Sequence, residues 1–250
     1  MTVEGGNDMA IPIQYSFQRC ELKYLLTPEQ YAALRPLLEP WTVPDTYGKY
    51  SISSLYYDTP DWRLIRASLE KPGYKEKLRV RSYGVPEPDE TVFVELKKKV
   101  SGVVYKRRIA TAAELAGPFL QGGDLPGGNG QIAREIRWFQ QVWQTEPRVF
   151  IGYDRLAFAG AEDSQVRITF DTNIRWCTAG LDLCQGDSGV PLIATGEILM
   201  EVKVPGACPL WLCRALSEVR AAPTSFSKYG ACYRRFLLPK FQRNEALFHA

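Results

Sequence analysis

The sequence contains few of the residue types on which many enzymes depend. Its 250 residues include one histidine, His249, which argues against a buried histidine base and against a zinc site with histidine ligands. Six cysteines are present, but no two have the spacing of a zinc knuckle or a redox motif. We therefore expect the cysteines to be scattered, mostly buried thiols, so catalysis has to come from other side chains.

Long apolar segments are also missing. The N-terminal stretch has no basic segment followed by an apolar run, so it does not resemble a signal peptide. No run approaches the roughly 20 apolar residues of a membrane span. The hydrophobic content of 45% still allows a substantial core. We therefore expect a cytoplasmic protein whose thiols stay reduced.

Alternating apolar and polar residues dominate the chain, which indicates a sheet protein with a few helices. Strands are predicted at 14–26, 50–58, 75–84, 91–100, 102–110, 147–160, 164–172 and 197–204. Helices are predicted at 27–38, 61–70, 131–144 and 208–220. Glycine and proline predict a mobile loop at 117–130. Because strands on both sides of this loop share one chemical pattern, we expect one domain over 14–240, with a disordered segment at 1–13 and a tail at 241–250.

The polar positions of these strands carry many charges. In the segment EILMEVKV, Glu197, Glu201 and Lys203 alternate with an apolar row, so they share one face of a strand. An ordinary solvated sheet face explains one such strand. The repetition in strand after strand favours a charged face with a ligand of its own. Its members are Lys75, Lys77, Arg79, Arg81, Glu95, Lys97, Lys99, Lys106, Arg108, Arg155, Arg167 and Asp171.

Closure of these strands into a barrel would turn the charged faces inward and create a tunnel lined by cations with a few carboxylates. Closely spaced cations repel one another and are costly to desolvate, and a polyanion relieves both penalties. Arginine offers a fork that matches phosphate oxygens, and carboxylates hold Mg²⁺ or Mn²⁺ against them. The pattern therefore predicts metal-assisted chemistry on a linear phosphate chain.

Several short motifs also follow one another in a specific order. They are RCELKY at 19–24, the Lys77/Arg79/Arg81 strand, Glu95-Leu96-Lys97 with the Lys-Arg-Arg hairpin, Tyr153-Asp154-Arg155, Glu201-Val202-Lys203 and Ser227-Lys228-Tyr229-Gly230. Over roughly 14–240 they resemble the VTC domain, the polyphosphate polymerase domain of the vacuolar transporter chaperone complex, in the CYTH or triphosphate tunnel metalloenzyme superfamily. The resemblance implies an α+β fold, an antiparallel closed β-barrel of about eight strands around a basic tunnel with helices packed outside.

The resemblance also implies an activity, the metal-dependent transfer of the terminal phosphoryl group of ATP to a growing polyphosphate chain. Matched by position, the expected catalytic contacts are Arg79, Arg81, Lys97, Arg155 and Lys228. Further substrate contacts are expected from Arg19, Lys23, Lys77, Lys106, Arg108, Tyr153, Arg167 and Lys203. Glu201 corresponds to the metal-binding glutamate of the family, and Glu95 or Glu197 is expected to assist it in holding Mn²⁺ or Mg²⁺.

Some alternatives stay open. Glu21 could bind metal or pair with a lysine, Glu197 could assist the metal or form a salt bridge, and the Lys-Arg-Arg run could be registered either way. Hydrolytic relatives begin with Glu-x-Glu-x-Lys, whereas this chain has Arg19 at the first position. That difference favours the polymerase branch over the thiamine-triphosphatase and adenylyl-cyclase branches. An inorganic or organic triphosphatase and a non-catalytic polyphosphate-binding module stay as alternative functions. We expect ATP and polyphosphate as ligands and no nucleic acid, with room for a membrane-protein partner at the inner face of a membrane.

Overall fold

The strands of this protein form one antiparallel sheet. The computed structural model describes residues 20–101, 103–125, 130–186 and 188–239. The strands are β1 (Cys20–Leu26), β2 (Thr42–Asp58), β3 (Tyr74–Tyr83), β4 (Thr91–Val100), β5 (Val103–Ala112), β6 (Glu146–Gly160), β7 (Arg167–Cys177), β8 (Val190–Pro191) and β9 (Ile198–Val204). Their order in space is β1-β9-β7-β6-β2-β3-β4-β5, with β8 beside β7.

The sheet curls around its charged face. The Lys23 ammonium on β1 donates a hydrogen bond to the carbonyl oxygen of Phe226 at 3.2 Å. The Lys77 ammonium on β3 donates one to the hydroxyl of Ser227, also at 3.2 Å. Phe226 and Ser227 are adjacent in the chain, whereas four strands separate β1 from β3 in the pairing order. The two strands therefore face each other across a cleft.

Backbone pairing does not close this cleft. β1 and β5 lie at the two ends of the pairing order, and no strand pairing joins them within the described part of the chain. The expected antiparallel sheet with helices is confirmed, whereas its closure into a barrel is not shown. Most of β5 is exposed, as is usual for an edge strand.

Four of the six described α-helices cover the outer face of the sheet in two groups. The helices are α1 (Pro28–Leu38), α2 (Arg63–Leu69), α3 (Ala113–Leu120), α4 (Gln131–Trp143), α5 (Leu210–Glu218) and α6 (Lys228–Cys232). Leu34 of α1 and Leu212 of α5 pack with the apolar residues of β1, β7 and β9. Phe119 of α3 and Phe139 of α4 pack with those of β3 and β4. These two clusters bury the apolar rows of β1, β3, β4, β7 and β9.

A third apolar cluster lies on the inner face of the sheet. Tyr229 of α6 and Tyr233 of the following π-helical turn, Tyr233–Leu237, pack with Ile52, Ile151 and Leu199. Ile52 and Ile151 point to the same face as Tyr56 of β2 and Tyr153 of β6, whose hydroxyls accept hydrogen bonds from Arg79 and Arg81. The C-terminal segment therefore fills part of the space inside the curled sheet and leaves the charged part as the cleft.

Local chemistry sets several element boundaries as predicted. Thr27 caps α1, because its hydroxyl accepts a hydrogen bond from the backbone N–H of Gln30 at 3.2 Å. The Gln30 side chain accepts one in return from the N–H of Thr27 at 3.1 Å, and Pro28 occupies the first helical position. Helices α2, α4 and α5 lie within one to three residues of their predicted bounds.

Three predictions about element boundaries are wrong, and the first is the strand predicted at 164–172, which runs from Arg167 to Cys177 as β7. β2 begins at Thr42 rather than at residue 50, and an irregularity between Pro44 and Lys49, with Gly48 at φ +60°, lets both halves pair with β6. The predicted loop at 117–130 begins as part of α3, because burial of Phe119 and Leu120 outweighs the helix-breaking tendency of Gly117 and Pro118. Residues 126–129 lie outside the described part.

None of the described helices is long and apolar enough to cross a membrane.

Candidate functional site

The charged positions of the strands share one face, as their alternation predicts. Direct cross-strand neighbours include Lys23 with Glu201 and Arg155 with Asp171. We call the space that they line the cationic cleft. Its described cations are Lys23, Lys77, Arg79, Arg81, Lys97, Lys106, Arg108, Arg155, Lys203 and Lys228, and its acids are Glu21, Glu95, Asp171 and Glu201.

Glu95 is the centre of one group of cations in the cleft. The Arg79 guanidinium donates to Glu95 Oε2 through Nε at 2.8 Å, and its Nη2 lies 2.6 Å from the same oxygen. The Lys106 ammonium lies 2.5 Å from Oε1, with Arg81 and Arg108 within 4 Å of the carboxylate. Burial opposes ionisation of Glu95, but Arg79 and Arg81 outweigh it and lower its pKa to about 2. Glu95 therefore compensates cations and has little capacity left for a metal.

Asp171 organises a second group. Its carboxylate is fully buried and accepts two hydrogen bonds from the Arg155 guanidinium, at 2.6 and 2.8 Å, and one from the Lys228 ammonium at 2.5 Å. The Lys228 ammonium also lies 4.1 Å from the ring centre of Tyr153. Burial acts against ionisation of Asp171, yet Lys228 and Arg155 keep its pKa below the ordinary value. This carboxylate fixes two of the predicted catalytic cations.

Glu201 and Glu21 flank Lys23 at a third position. The Lys23 ammonium lies 3.1 Å from Glu21 Oε1 and 3.7 Å from Glu201 Oε2, while Lys203 lies 2.7 Å from Glu201 Oε1. Burial opposes ionisation of Glu201, but Lys203 and Lys23 lower its pKa to about 2. Glu201 is therefore a permanent anion, and Glu21, whose role the sequence left open, pairs with Lys23.

A row of three lysines crosses β3, β4 and β5. Lys77 pairs directly with Lys97, and Lys97 pairs directly with Lys106. In this register Lys106 and Arg108 face the cleft. The sequence had left the register of this Lys-Arg-Arg run open. Burial lowers the pKa of Lys77 to about 8, although Tyr56 acts in the opposite direction, and burial also lowers the pKa of Lys97. Among the described residues, Lys106 is the member of the row with a carboxylate at ion-pair distance, that of Glu95.

Two tyrosines join the cations to the floor of the cleft. The Tyr56 hydroxyl accepts a hydrogen bond from Arg79 at 3.1 Å, and the Tyr153 hydroxyl accepts one from Arg81 at 3.3 Å. Burial acts to raise the pKa of Tyr56, but Arg79 and Arg81 outweigh it and lower the pKa to about 8. Tyr153 was predicted as a contact, whereas Tyr56 was missed, since it lies in the mostly uncharged strand β2.

Three predicted residues lie away from this centre or outside the described residues. Arg167 sits at the rim, 45% exposed, with Nη2 2.9 Å from Asp45 Oδ2. Glu197 precedes β9 and accepts a hydrogen bond from the Ala194 N–H at 2.8 Å, so its carboxylate stabilises a turn. Arg19 lies outside the described residues.

Asp171 was expected on the charged face but without a role in the site, and the Ser227 side chain was not expected in the site. Asp171 lies four residues after Arg167 on the same strand, so the alternation of side chains placed it on the charged face. Its burial between two cations could not be predicted from that alternation. The Ser227 hydroxyl accepts two hydrogen bonds, one from the Lys77 ammonium and one from the backbone N–H of Gly230 at the start of α6. That double role depends on how the C-terminal segment enters the cleft.

The structure does not bring Glu201, Glu95 and Glu197 together as a metal site. Within the described ranges no three acidic, histidine or cysteine side chains form a group that could hold a metal. Mg²⁺ and related ions, however, are commonly held by one or two carboxylates together with phosphate oxygens and water. Glu201 and Glu21 beside Lys23 fit that mode, because both are carboxylates in the cationic cleft.

Comparisons with known proteins relate the chain to one family and one fold. The family model of the VTC domain matches residues 18–237. A candidate adenylyl cyclase from Hippeastrum with a dominant triphosphatase activity has a TM-score of 0.51 and 17% identity, with 86% of this chain and 94% of that chain covered. A candidate adenylate cyclase from Vibrio parahaemolyticus has a TM-score of 0.45 and 14% identity, with 87% and 98% covered. No curated protein sequence matches the chain.

Proposed function

The chain belongs to the VTC domain family, within the triphosphate tunnel metalloenzyme superfamily, and from this premise we propose that it is a metal-dependent polyphosphate polymerase. The proposed reaction transfers the terminal phosphoryl group of ATP to the end of a polyphosphate chain in the cationic cleft. The family match covers most of the chain, and the chemistry of the cleft supports this choice of reaction.

The lysine row is the observation that carries the proposal. Lys97 lies between Lys77 and Lys106 and makes no hydrogen bond or ion pair within the described residues. Like charges directly opposite one another destabilise a sheet, and Glu95 compensates only Lys106, so within the described residues Lys77 and Lys97 have no carboxylate at ion-pair distance. A ligand with evenly spaced negative charges compensates all three ammonium groups. A linear phosphate chain has this form, and it can run along the row.

The remaining cations provide what phosphoryl transfer requires. That reaction depends on positioning and on compensation of charge, with little covalent chemistry by the protein. Arg79, Arg81 and Arg155 are held by hydrogen bonds before any ligand arrives, so their guanidinium groups are pre-organised for phosphate oxygens. The acceptor is a phosphate terminus, which is already an anion. No general base is then needed, and no histidine occurs among the described residues.

A divalent cation would be held by Glu201, with Glu21 assisting from β1. When bound, Mn²⁺ or Mg²⁺ would neutralise charge on the phosphate oxygens. Because the pKa of Glu201 is about 2, its carboxylate is ionised throughout the physiological range and is ready to bind a cation. Lys23 and Lys203 now compensate that carboxylate, so they would be released toward the phosphate chain.

A triphosphatase is the second candidate, because the Hippeastrum protein that shares the fold has a dominant triphosphatase activity. The same cleft would serve, with water as the acceptor. Incubation with ATP and Mn²⁺ separates the two reactions. We expect phosphate chains long enough to be resolved by gel electrophoresis, whereas release of free phosphate alone would replace the polymerase by the triphosphatase.

Substitution of Glu201 tests the metal assignment. Glu201→Gln should abolish metal-dependent chain synthesis while the circular dichroism spectrum stays that of the wild type. The matched control is Glu197→Gln, because the amide retains an oxygen that accepts from the Ala194 N–H and the residue lies outside the cleft. Full activity of Glu201→Gln, or equal loss in both variants, would show that Glu201 does not hold the metal.

A further inference from the structure

A row of aromatic rings runs along one edge of the cationic cleft, across β2, β3 and β4. The ring centres of Tyr47 and Tyr50 are 6.2 Å apart, those of Tyr50 and Tyr83 are 6.1 Å apart, and those of Tyr83 and Phe93 are 5.9 Å apart. The Arg108 guanidinium ends the row, 4.1 Å from the ring centre of Phe93. We call Tyr47, Tyr50, Tyr83 and Phe93 the aromatic row.

Register places the aromatic row directly beside the phosphate-binding cations. Tyr50 is the cross-strand neighbour of Arg155, and Phe93 is the cross-strand neighbour of Arg81. Such neighbours have Cβ atoms about 5 Å apart. Both rings share the face of the cations, so a molecule bound by those arginines reaches the aromatic row without leaving the cleft.

Packing of the hydrophobic core does not explain the row. Tyr47 is 77% exposed and Tyr83 is 52% exposed, and neither belongs to the three apolar clusters of the protein. Single exposed aromatic residues are common on protein surfaces. The neighbouring rings make edge-to-face or tilted contacts and lie beside arginines that point into the cleft. This combination is suited to binding a nucleotide through both its base and its phosphates.

We propose that the aromatic row is a nucleobase subsite, in which the base of a nucleoside triphosphate lies against Tyr83 while its phosphates occupy the cationic cleft. The inference rests on the proposed function, because it takes a nucleoside triphosphate to be the phosphoryl donor. It adds that the donor is recognised through its base, so inorganic triphosphate and a nucleoside triphosphate are distinguished at the rim. Phe93, held under Arg108, supports the ring of Tyr83 from the other side.

Calorimetric titration of metal-free protein tests the proposal with ATP, ribose 5′-triphosphate and inorganic triphosphate. Tyr83→Ala should weaken ATP binding about tenfold, within the range for stacking of a base on an aromatic ring. Binding of ribose 5′-triphosphate, which lacks the base, should not change. Tyr83→Phe should bind ATP like the wild type, because the ring and not the hydroxyl carries the contact.

The control is Tyr105→Ala, since Tyr105 is 48% exposed but lies on the opposite face of β5. It should leave all three affinities unchanged. An equal loss of ATP and ribose 5′-triphosphate binding in Tyr83→Ala would overturn the subsite, as would a wild type that binds ATP no tighter than ribose 5′-triphosphate. If the wild type does not bind inorganic triphosphate, the cleft is not a phosphate site and the proposed function falls as well.

Discussion

Replacement of Glu95 by glutamine should destabilise the free protein strongly, even though the substitution conserves size. The Glu95 carboxylate is 1% exposed and is surrounded by Arg79, Arg81, Lys106 and Arg108. Its pKa falls from 4.5 to about 2 in the folded protein. At 1.36 kcal/mol for each pKa unit, the ionised carboxylate contributes about 3 kcal/mol to folding. Loss of one partner from a buried ion pair has a cost of similar size, about 3–5 kcal/mol.

The pH dependence of this contribution has a definite sign. A carboxyl group whose pKa is lowered by folding stabilises the protein above its unfolded pKa, and the effect is lost as the pH falls toward the folded pKa. The difference between wild type and Glu95→Gln in the free energy of unfolding should thus be about 3 kcal/mol at pH 7. It should shrink progressively below pH 4.5 and vanish near pH 2.

Urea denaturation with and without inorganic triphosphate measures both parts of the prediction. The ligand supplies negative charge to the cleft, so it should recover much of the stability that Glu95→Gln loses. Glu76→Gln is the matched control, because Glu76 is buried on the outer face, 3.5 Å from Lys98. Its loss should persist with the ligand. An unchanged free energy of unfolding in Glu95→Gln at pH 7 would refute the assigned role.

Two further predictions concern the lysine row. Burial lowers the pKa of Lys77 to about 8, so inorganic triphosphate should bind more weakly as the pH rises from 7 to 9 and Lys77 loses its proton. Lys77→Arg, which stays charged, should bind triphosphate with a smaller pH dependence. Calorimetry that shows the same pH dependence in both proteins would show that Lys77 does not bind the ligand. Lys97→Met should bind triphosphate about tenfold more weakly, as expected for a lost charge-assisted contact. The free protein should unfold at the same or a higher temperature, because the repulsion of Lys97 by Arg79 and Lys23 is gone. A lower melting temperature would show that Lys97 has a partner that compensates its charge.

Much of the candidate site could be predicted because a strand has a period of two. The alternation in KEKLRVRSY and TVFVELKKK placed Lys77, Arg79, Glu95 and Lys97 on one face, and the structure has them there. The three predicted metal ligands do not come together, because alternation along a strand predicts which face a glutamate occupies and not which side chains surround it. Glu95 is enclosed by cations and Glu197 stabilises a turn, so Glu201 is the one of the three that stays in the proposed metal site.

The sequence by itself determined the antiparallel strands, their charged face and the family, because each depends on residues close together in the chain or on ordered motifs. Tertiary structure alone decided how β1 and β3 approach each other through Phe226 and Ser227 and how Asp171 is buried between Arg155 and Lys228. It also decided that no pairing joins β1 to β5 within the described residues. These features join segments far apart in the chain. Their geometry follows from the curl of the whole sheet, which no single strand encodes.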